Sequence, residues 1–293
     1  MPDTVTLVEN TGWDQRILVC RCGPLVDVFV VVTQRFVILV DTLVGPETGA
    51  ALLAIAQPYL IGRQLLAINT HADWDHAWGN QVFAGPDALH PAPIIATHRC
   101  AERLRSAEAQ QRLEQMRAKE PGRFGATRLE RPTVLFEDRL VIDGGDLTLE
   151  LFATPGHQPD HLSIWIPEIG MLLAGDAAEA PFPFAQSAAS LPQIRSSITH
   201  MIALQPQHVL YCHAPVTAGP QLLLANAAYF DELEEHCRAA LASGASAKPA
   251  DGTDLEALVG LPFEQALPMP TDQVDFYRPG HLAHIRMMLE WCA

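Results

Sequence analysis

The sequence predicts an α/β protein: two β-rich blocks, each followed by helices, stacked sheet on sheet with helices outside as a four-layer αββα sandwich, with a short helical C-terminal appendage. Three observations predict it. Short β-branched runs broken by turn residues fill the region 5–40 and again 139–174. Helical patterns follow each block. Potential metal ligands recur directly after strands, where α/β proteins assemble their sites.

In order, the first block has strands at 5–8, 17–22, 26–33 and 36–40, the last closed by Asp41. Gly45-Pro46-Glu47 opens a helix that runs through Tyr59. The apolar run Leu65-Leu66-Ala67-Ile68 is a buried strand, and a helical stretch is expected to begin near Asp75. A strand at 94–97 precedes a charged helical stretch over 98–119. Residues 120–132 hold Pro, Gly and Arg and form a loop. The second block has strands at 139–142, 147–153, 162–166 and 171–174. A helix over 190–203, a strand at 209–212 and a long helix over about 218–242 follow. Residues 243–252 have the composition of a linker, and an amphipathic helix over 280–291 closes the chain. The expected division is therefore one domain over 1–242 and a linker with a helical segment over 243–293.

The chain has 293 residues, 48% of them apolar, enough to bury a large core. A net charge of −15, from 19 basic and 34 acidic residues, argues against a nucleic-acid surface, which needs basic clusters. The N-terminal residues lack a basic and apolar leader pattern, and no apolar run is long enough to span a bilayer. The expectation is a cytoplasmic protein acting on a small molecule, with no nucleic-acid or membrane partner. Six cysteines are scattered, and a chain of this length in a reducing compartment needs no disulfides. Cys20 and Cys22 alternate along a strand and are expected to face the core.

The densest chemistry lies in Ala-Ile-Asn-Thr-His-Ala-Asp-Trp-Asp-His-Ala-Trp-Gly-Asn, residues 67–80. It sets His71, Asp73, Asp75 and His76 within six residues, directly after a buried strand. Two imidazoles and two carboxylates so close together call for a cation to offset the repulsion between the carboxylates. Three later segments repeat the arrangement: Thr154-Pro155-Gly156-His157, Ala174-Gly175-Asp176 and Tyr211-Cys212-His213 each follow a strand. The Pro-Gly pair permits a tight turn before His157, and Gly175 permits close backbone approach. Seven ligands with a bridging hydroxide suit two divalent ions. Such a pair can acidify a shared water, orient it and clamp a substrate oxygen.

These blocks, in this order, resemble the metallo-β-lactamase superfamily, in particular its hydroxyacylglutathione-hydrolase-like branch. Residues 71–76 match the family's His-x-His-x-Asp-His box except that Asp73 stands where the second His is usual, and His157, Asp176 and His213 match its later ligands. The resemblance covers about residues 15–230. It implies an αββα sandwich with a dinuclear site on one edge. One metal would take His71, Asp73 and His157, the other Asp75, His76 and His213, with Asp176 as the bridge. Zinc is the family's usual metal. The carboxylate of Asp73 is harder than an imidazole and moves preference toward iron or manganese. With Asp73, three carboxylates and a hydroxide balance two divalent ions, so the core is formally neutral; with histidine there it would carry one positive charge.

The expected activity is a metal-dependent hydrolase that attacks an ester, thioester, lactone or similar bond with a hydroxide bridging two metal ions. Asp75 is expected to hold the nucleophile's proton through its second oxygen, and Asp176 to act as the bridge. The alternative is a non-haem iron oxidoreductase on the same fold, an oxygenase or oxygen reductase, to which Asp73 lends support. Around the site, Asp41 is expected to orient a ligand imidazole. His161 is either a donor to a ligand or a strand cap. Trp74 and Trp78 are expected to pack, and Cys212 to be buried. Pro181-Phe182-Pro183-Phe184 is expected to be a plain loop, with a cleft lining as the alternative. His281 and His284 are expected on the surface of the tail helix. The apolar face of that helix, Leu282, Ile285, Met288 and Leu289, is expected to dock either on its own domain or on a second subunit of a homodimer.

Overall fold

In the computed structural model, which describes residues 3–267 and 269–293, two β-sheets form from the two β-rich blocks. The first sheet holds β1 (Val5–Leu7), β2 (Ile17–Cys22), β3 (Val26–Val32), β4 (Phe36–Val40), β5 (Gln64–Ile68), β6 (Ile94–Thr97) and β7 (Val134–Phe136), in that spatial order. β1 to β4 pair antiparallel, β2 to β4 through three-residue turns. From β4 to β7 the pairing is parallel. Parallel neighbours need crossovers. Helix α1 (Pro46–Ala56) lies between β4 and β5, and α2 (His98–Arg105), α3 (Ala107–Lys119) and α4 (Pro121–Phe124) lie between β6 and β7. Because β4, β5 and β6 run in one direction, their carboxyl ends open together. Asp41 N–H donates to Ile68 O at 2.7 Å, and Asn69 N–H donates to Ile95 O at 2.9 Å. This edge presents Asp41, Thr70, His71 and Thr97.

The second sheet has β8 (Arg139–Asp143), β9 (Thr148–Ala153), β10 (Leu162–Ile166), β11 (Met171–Gly175) and β12 (His208–Tyr211), in the order β12-β11-β10-β9-β8. All residues of β3 and of β11 are buried, so both faces of these strands are covered, as the layered arrangement requires. The edge strand β8 alternates between solvent and core. Leu162 N–H donates to Thr70 O at 2.9 Å, which ties β10 to the loop after β5.

The chain folds as two compact units. The first comprises the residues up to Ala153 together with Asp160–Leu173; the second comprises Thr154–Pro159 and Ala174–Ala293. The second unit carries α5 (Leu191–Ala203), α6 (Gln221–Ala242), α7 (Leu255–Val259), α8 (Phe263–Ala266) and α9 (Val274–Cys292). Its core is aromatic. Phe182 stacks on Tyr229 with centroids 4.4 Å apart and meets Tyr277 edge-on at 5.6 Å. α9 packs along α6 and buries Tyr277, Gly280, His281, His284, Ile285, Met288 and Leu289, a stripe at helical spacing. Of the expected apolar face, Ile285, Met288 and Leu289 are thus covered by its own unit, while Leu282 is half-buried.

Several elements differ from the sequence expectation. No helix starts at Asp75. The chain makes a single turn there, with His76 N–H and Ala77 N–H both donating to Asp73 O, because the segment after β4 captures the next backbone groups: Thr42 N–H donates to His76 O at 2.7 Å and Gly79 N–H to Leu43 O at 3.0 Å. The stretch 98–119 breaks at Ser106, whose side chain caps α3 by accepting from Ala109 N–H. Residues 120–132 include the single turn of α4, and β7 and the short α7 and α8 had no clear sequence signal. The tail helix begins at Val274, six residues earlier than expected. Pro279 lies inside it, and Gly280 is required there because a Cβ would fall 2.3 Å from Phe184 Cε1. Residues 181–184 form a loop as expected, and Phe182 within it is buried in the aromatic core.

Candidate metal centre

In the first unit the parallel strand ends hold the ligand loop by a chain of hydrogen bonds with a fixed sense. Asp41, buried and with a left-handed backbone (φ +70°), accepts Thr70 N–H at Oδ1 (2.7 Å) and Thr70 O–H at Oδ2 (2.8 Å). The same Oδ2 lies 2.8 Å from His76 Nδ1. A carboxylate only accepts, so His76 carries its proton on Nδ1. Thr70 has given its hydrogen to Asp41, so at 3.0 Å its oxygen accepts from His71 Nδ1–H. Either imidazole could therefore hold a cation through Nε2, each being oriented by a second residue. The rings lie 4.2 Å apart. His71 Nε2 is 3.5 Å from Asp73 Oδ2, and His76 Nε2 is 3.8 Å from Asp75 Oδ2. Lone pairs of nitrogen and carboxylate turned toward each other over such distances fit a divalent ion, which is the chemistry of an oxygen and nitrogen donor set.

Two residues that the sequence did not single out hold the middle of the loop. Arg103, on α2, donates from Nη2 to Asp73 Oδ1 at 2.7 Å and from Nη1 to Asp160. Asp160 also accepts Ala72 N–H at Oδ2 (2.8 Å), and its carbonyl accepts from Thr97 O–H at 3.0 Å. Thr97 is itself the N-cap of α2. His161 is buried with its ring 5.1 Å from that of His71.

In the second unit, Asp176 Oδ2 lies 3.3 Å from His213 Nε2 and 3.6 Å from His157 Nε2, so one carboxylate oxygen faces both imidazoles. Gly156 (φ +142°) allows the turn before His157; a Cβ there would be 2.4 Å from Ile194 Cα on α5. Ser197, also on α5, donates to Pro155 O at 2.7 Å. His213 O accepts Ala180 N–H at 3.1 Å. The adjoining Glu179 is clamped by Asn226 of α6: Glu179 N–H donates to Asn226 Oδ1, and Asn226 Nδ2 donates to Glu179 O and Pro181 O. Tyr277 O–H of α9 donates to the Glu179 carboxylate at 2.5 Å. Burial pushes the Glu179 carboxyl up to about 7; nearby His213 opposes the rise and Asp176 adds to it.

The expectation that His281 and His284 lie on the surface is corrected. Both are buried, and Tyr229 O–H sits 3.0 Å from each Nδ1. Ala185 N–H donates to His284 Nε2 at 2.9 Å, and His281 Nε2 lies 3.1 Å from Leu261 O. The sense is then fixed: His284 Nδ1–H donates to Tyr229, Tyr229 donates to His281 Nδ1, and His281 Nε2–H donates to Leu261. Burial holds His284 neutral, its pKa lowered to about 3. Elsewhere, Trp78 is buried, and Trp74 packs edge-on to Phe124 at 5.9 Å under the Arg123 guanidinium. Cys212 is buried, just beyond the end of β12. Cys20 and Cys22 are buried, and burial pushes both thiols up to about 12.

Comparison with known proteins gives the same direction. The family model described as metallo-beta-lactamase superfamily matches residues 23–213, more than half of the chain. Among solved structures, a metallo-beta-lactamase from Pontibacter korlensis is similar with a TM-score of 0.58 at 16% identity, over 78% of this chain and 99% of that one. DIM-1 metallo-beta-lactamase exposed to ceftazidime is similar with a TM-score of 0.58 at 16% identity, over 79% of this chain and 98% of its own. No curated protein matches. Among the described residues no helix is long and apolar enough to cross a membrane. With two sheets and their helices arranged as in those folds, and with the family model spanning every ligand loop, the chain belongs to the metallo-β-lactamase superfamily.

Proposed function

We propose that the chain is a dinuclear metallohydrolase of the hydroxyacylglutathione-hydrolase-like type, acting on an ester, thioester, lactone or similar carbonyl of a small molecule. In this reading His71, Asp73 and His157 hold one divalent ion, Asp75, His76 and His213 hold the other, and Asp176 is shared. The observation that carries it is the setting of the imidazoles. His71 and His76 have their Nδ1 atoms committed to Thr70 and Asp41, so Nε2 is the atom turned to Asp73 and Asp75. Membership of a superfamily of metal-dependent hydrolases supports the same conclusion. Bound ions of this kind acidify water and draw charge from a carbonyl oxygen. Asp75 takes the proton at the carboxylate oxygen not used for coordination. Asp41 keeps His76 in its ligand tautomer throughout. Residues 1–242 are the catalytic portion in this reading, and the acidic surface disfavours nucleic acid as substrate.

The test is a hydrolysis screen of the zinc, manganese and iron forms against thioesters, lactones and phosphodiesters, with metal content measured on the same samples. Two ions per chain and chelator-sensitive cleavage of a carbonyl ester are expected. Iron-dependent oxygen uptake with a thiol substrate, and no hydrolysis by any form, would replace this reading with the oxidoreductase one. An Asp75→Asn variant that keeps both metals and full turnover would remove Asp75 from the proton-holding role.

A further inference from the structure

Asp73 sets the metal box of this chain apart, and Arg103 is the residue that answers it. The guanidinium has a fixed fork, and both of its ends are committed: Nη2 to Asp73 Oδ1 at 2.7 Å, Nη1 to Asp160. Asp160 is buried and is anchored in turn by Ala72 N–H, the residue between His71 and Asp73. With Oδ1 held by Arg103, the oxygen of Asp73 that lies 3.5 Å from His71 Nε2 is Oδ2. One oxygen is aimed at the site and the other is tied down.

Charge follows the same logic. A carboxylate alone adds one negative charge where a neutral imidazole adds none. Arg103 is shared between Asp73 and buried Asp160, so the three groups together carry one negative charge, and the guanidinium offsets the charge of Asp73 only in part.

We propose that Arg103 is a positioning residue for metal binding, one that limits Asp73 to a single coordinating oxygen and offsets part of its negative charge. This rests on the dinuclear reading above. It also changes an expectation from the sequence: Asp73 by itself is not a sufficient reason for iron or manganese.

The test is zinc-against-manganese competition, with metal content per chain, on the full-length protein. It compares wild type, Arg103→Gln, Arg103→Lys, Asp73→His and Asp73→His/Arg103→Gln. Arg103→Gln releases the second oxygen and the full charge of Asp73, so preference moves toward manganese by about tenfold or more. Arg103→Lys keeps the charge and gives up the fork, so the move has the same direction and a smaller factor. Lysine also keeps a cation beside buried Asp160, so this variant still reads out if Arg103→Gln does not fold. Asp73→His alone sets Arg103 against an imidazole and weakens one equivalent of zinc by about tenfold. The double variant recovers that loss and favours zinc over manganese more than wild type does. Two ions in wild type, with the same metal preference in the Arg103 variants, would overturn the role of Arg103 and leave the dinuclear reading intact. A wild type that binds no metal would overturn both.

Discussion

The two candidate ligand regions of the molecule are braced differently. In the first unit four candidate ligands fall within six residues, and their supports are strand ends and a helix near the same edge: Asp41, Thr70, Asp160 and Arg103. In the second unit three candidate ligands are spread from His157 to His213, and their supports include helices: Ser197 on α5, Asn226 on α6 and Tyr277 on α9. A β-edge can hold a loop through backbone pairing and one well-placed carboxylate. The loops of the second unit also follow strand ends, and they are braced in addition by packed helices brought from far along the chain. The difference teaches that the tail beyond residue 243 braces the second region, because Tyr277 of α9 holds Glu179 in the loop that follows Asp176.

That contrast can be broken experimentally, beginning with the largest effect. Gly156→Ala should destabilise the protein by about 3–5 kcal/mol in denaturant unfolding, since its Cβ would meet the backbone of α5 and its φ disfavours alanine. A loss below 1 kcal/mol would mean that α5 does not brace His157.

Next is a pH effect confined to the second region. The Glu179 carboxyl is raised from 4.5 to about 7. The folded state therefore holds a proton that the unfolded chain has released, and stability falls as pH rises through this window. In metal-free protein the fall should be ~3 kcal/mol between pH 4.5 and 7.5, and Glu179→Gln should remove it. An unchanged slope in that variant would disprove the assignment.

Asp41→Asn tests the first region. The amide has one acceptor oxygen, so it can serve either Thr70 N–H or the position shared by Thr70 O–H and His76 Nδ1–H, but not both. Metal affinity should fall about 10–100-fold, with a loss of ~2 kcal/mol in stability. Metal titration of a well-folded variant with full affinity would rule out Asp41 as the orienting group. The smallest effect is expected for Tyr277→Phe, which removes one donor to Glu179 and should lower stability by ~1 kcal/mol in chemical unfolding. No change would show that the clamp of Asn226 suffices by itself.

Much of the first sheet was legible because its strands are runs of β-branched residues with sharp punctuation, as in 26–32 and 36–40. The ligand positions stood out because imidazoles and carboxylates directly after apolar runs have few other uses. Asp41 could be found for the same reason. Arg103 could not. It lies in a helix with Arg99, Glu102 and Arg105, and charge in such a run has the pattern of a solvated face. Asp160 follows a proline and has the pattern of a turn residue. The helix expected at Asp75 failed because residues 42–43 pair with 76–79, a non-local competition that local propensity does not contain. His281 and His284 did carry a signal: with Tyr277 and Met288 they keep helical spacing on one face, and that face was the buried one.

The relay through His284, Tyr229 and His281 has one further consequence. Its two ends are backbone groups of opposite kind, a donor at Ala185 and an acceptor at Leu261, so only one arrangement of its hydrogens is permitted. A one-residue slip of α9 would bring Leu282 and Ile285 to the two imidazole places, and neither has an atom that can answer Ala185 or Leu261. Greasy surfaces tolerate sliding; this polar thread does not, and it works as a key that admits the tail in a single alignment.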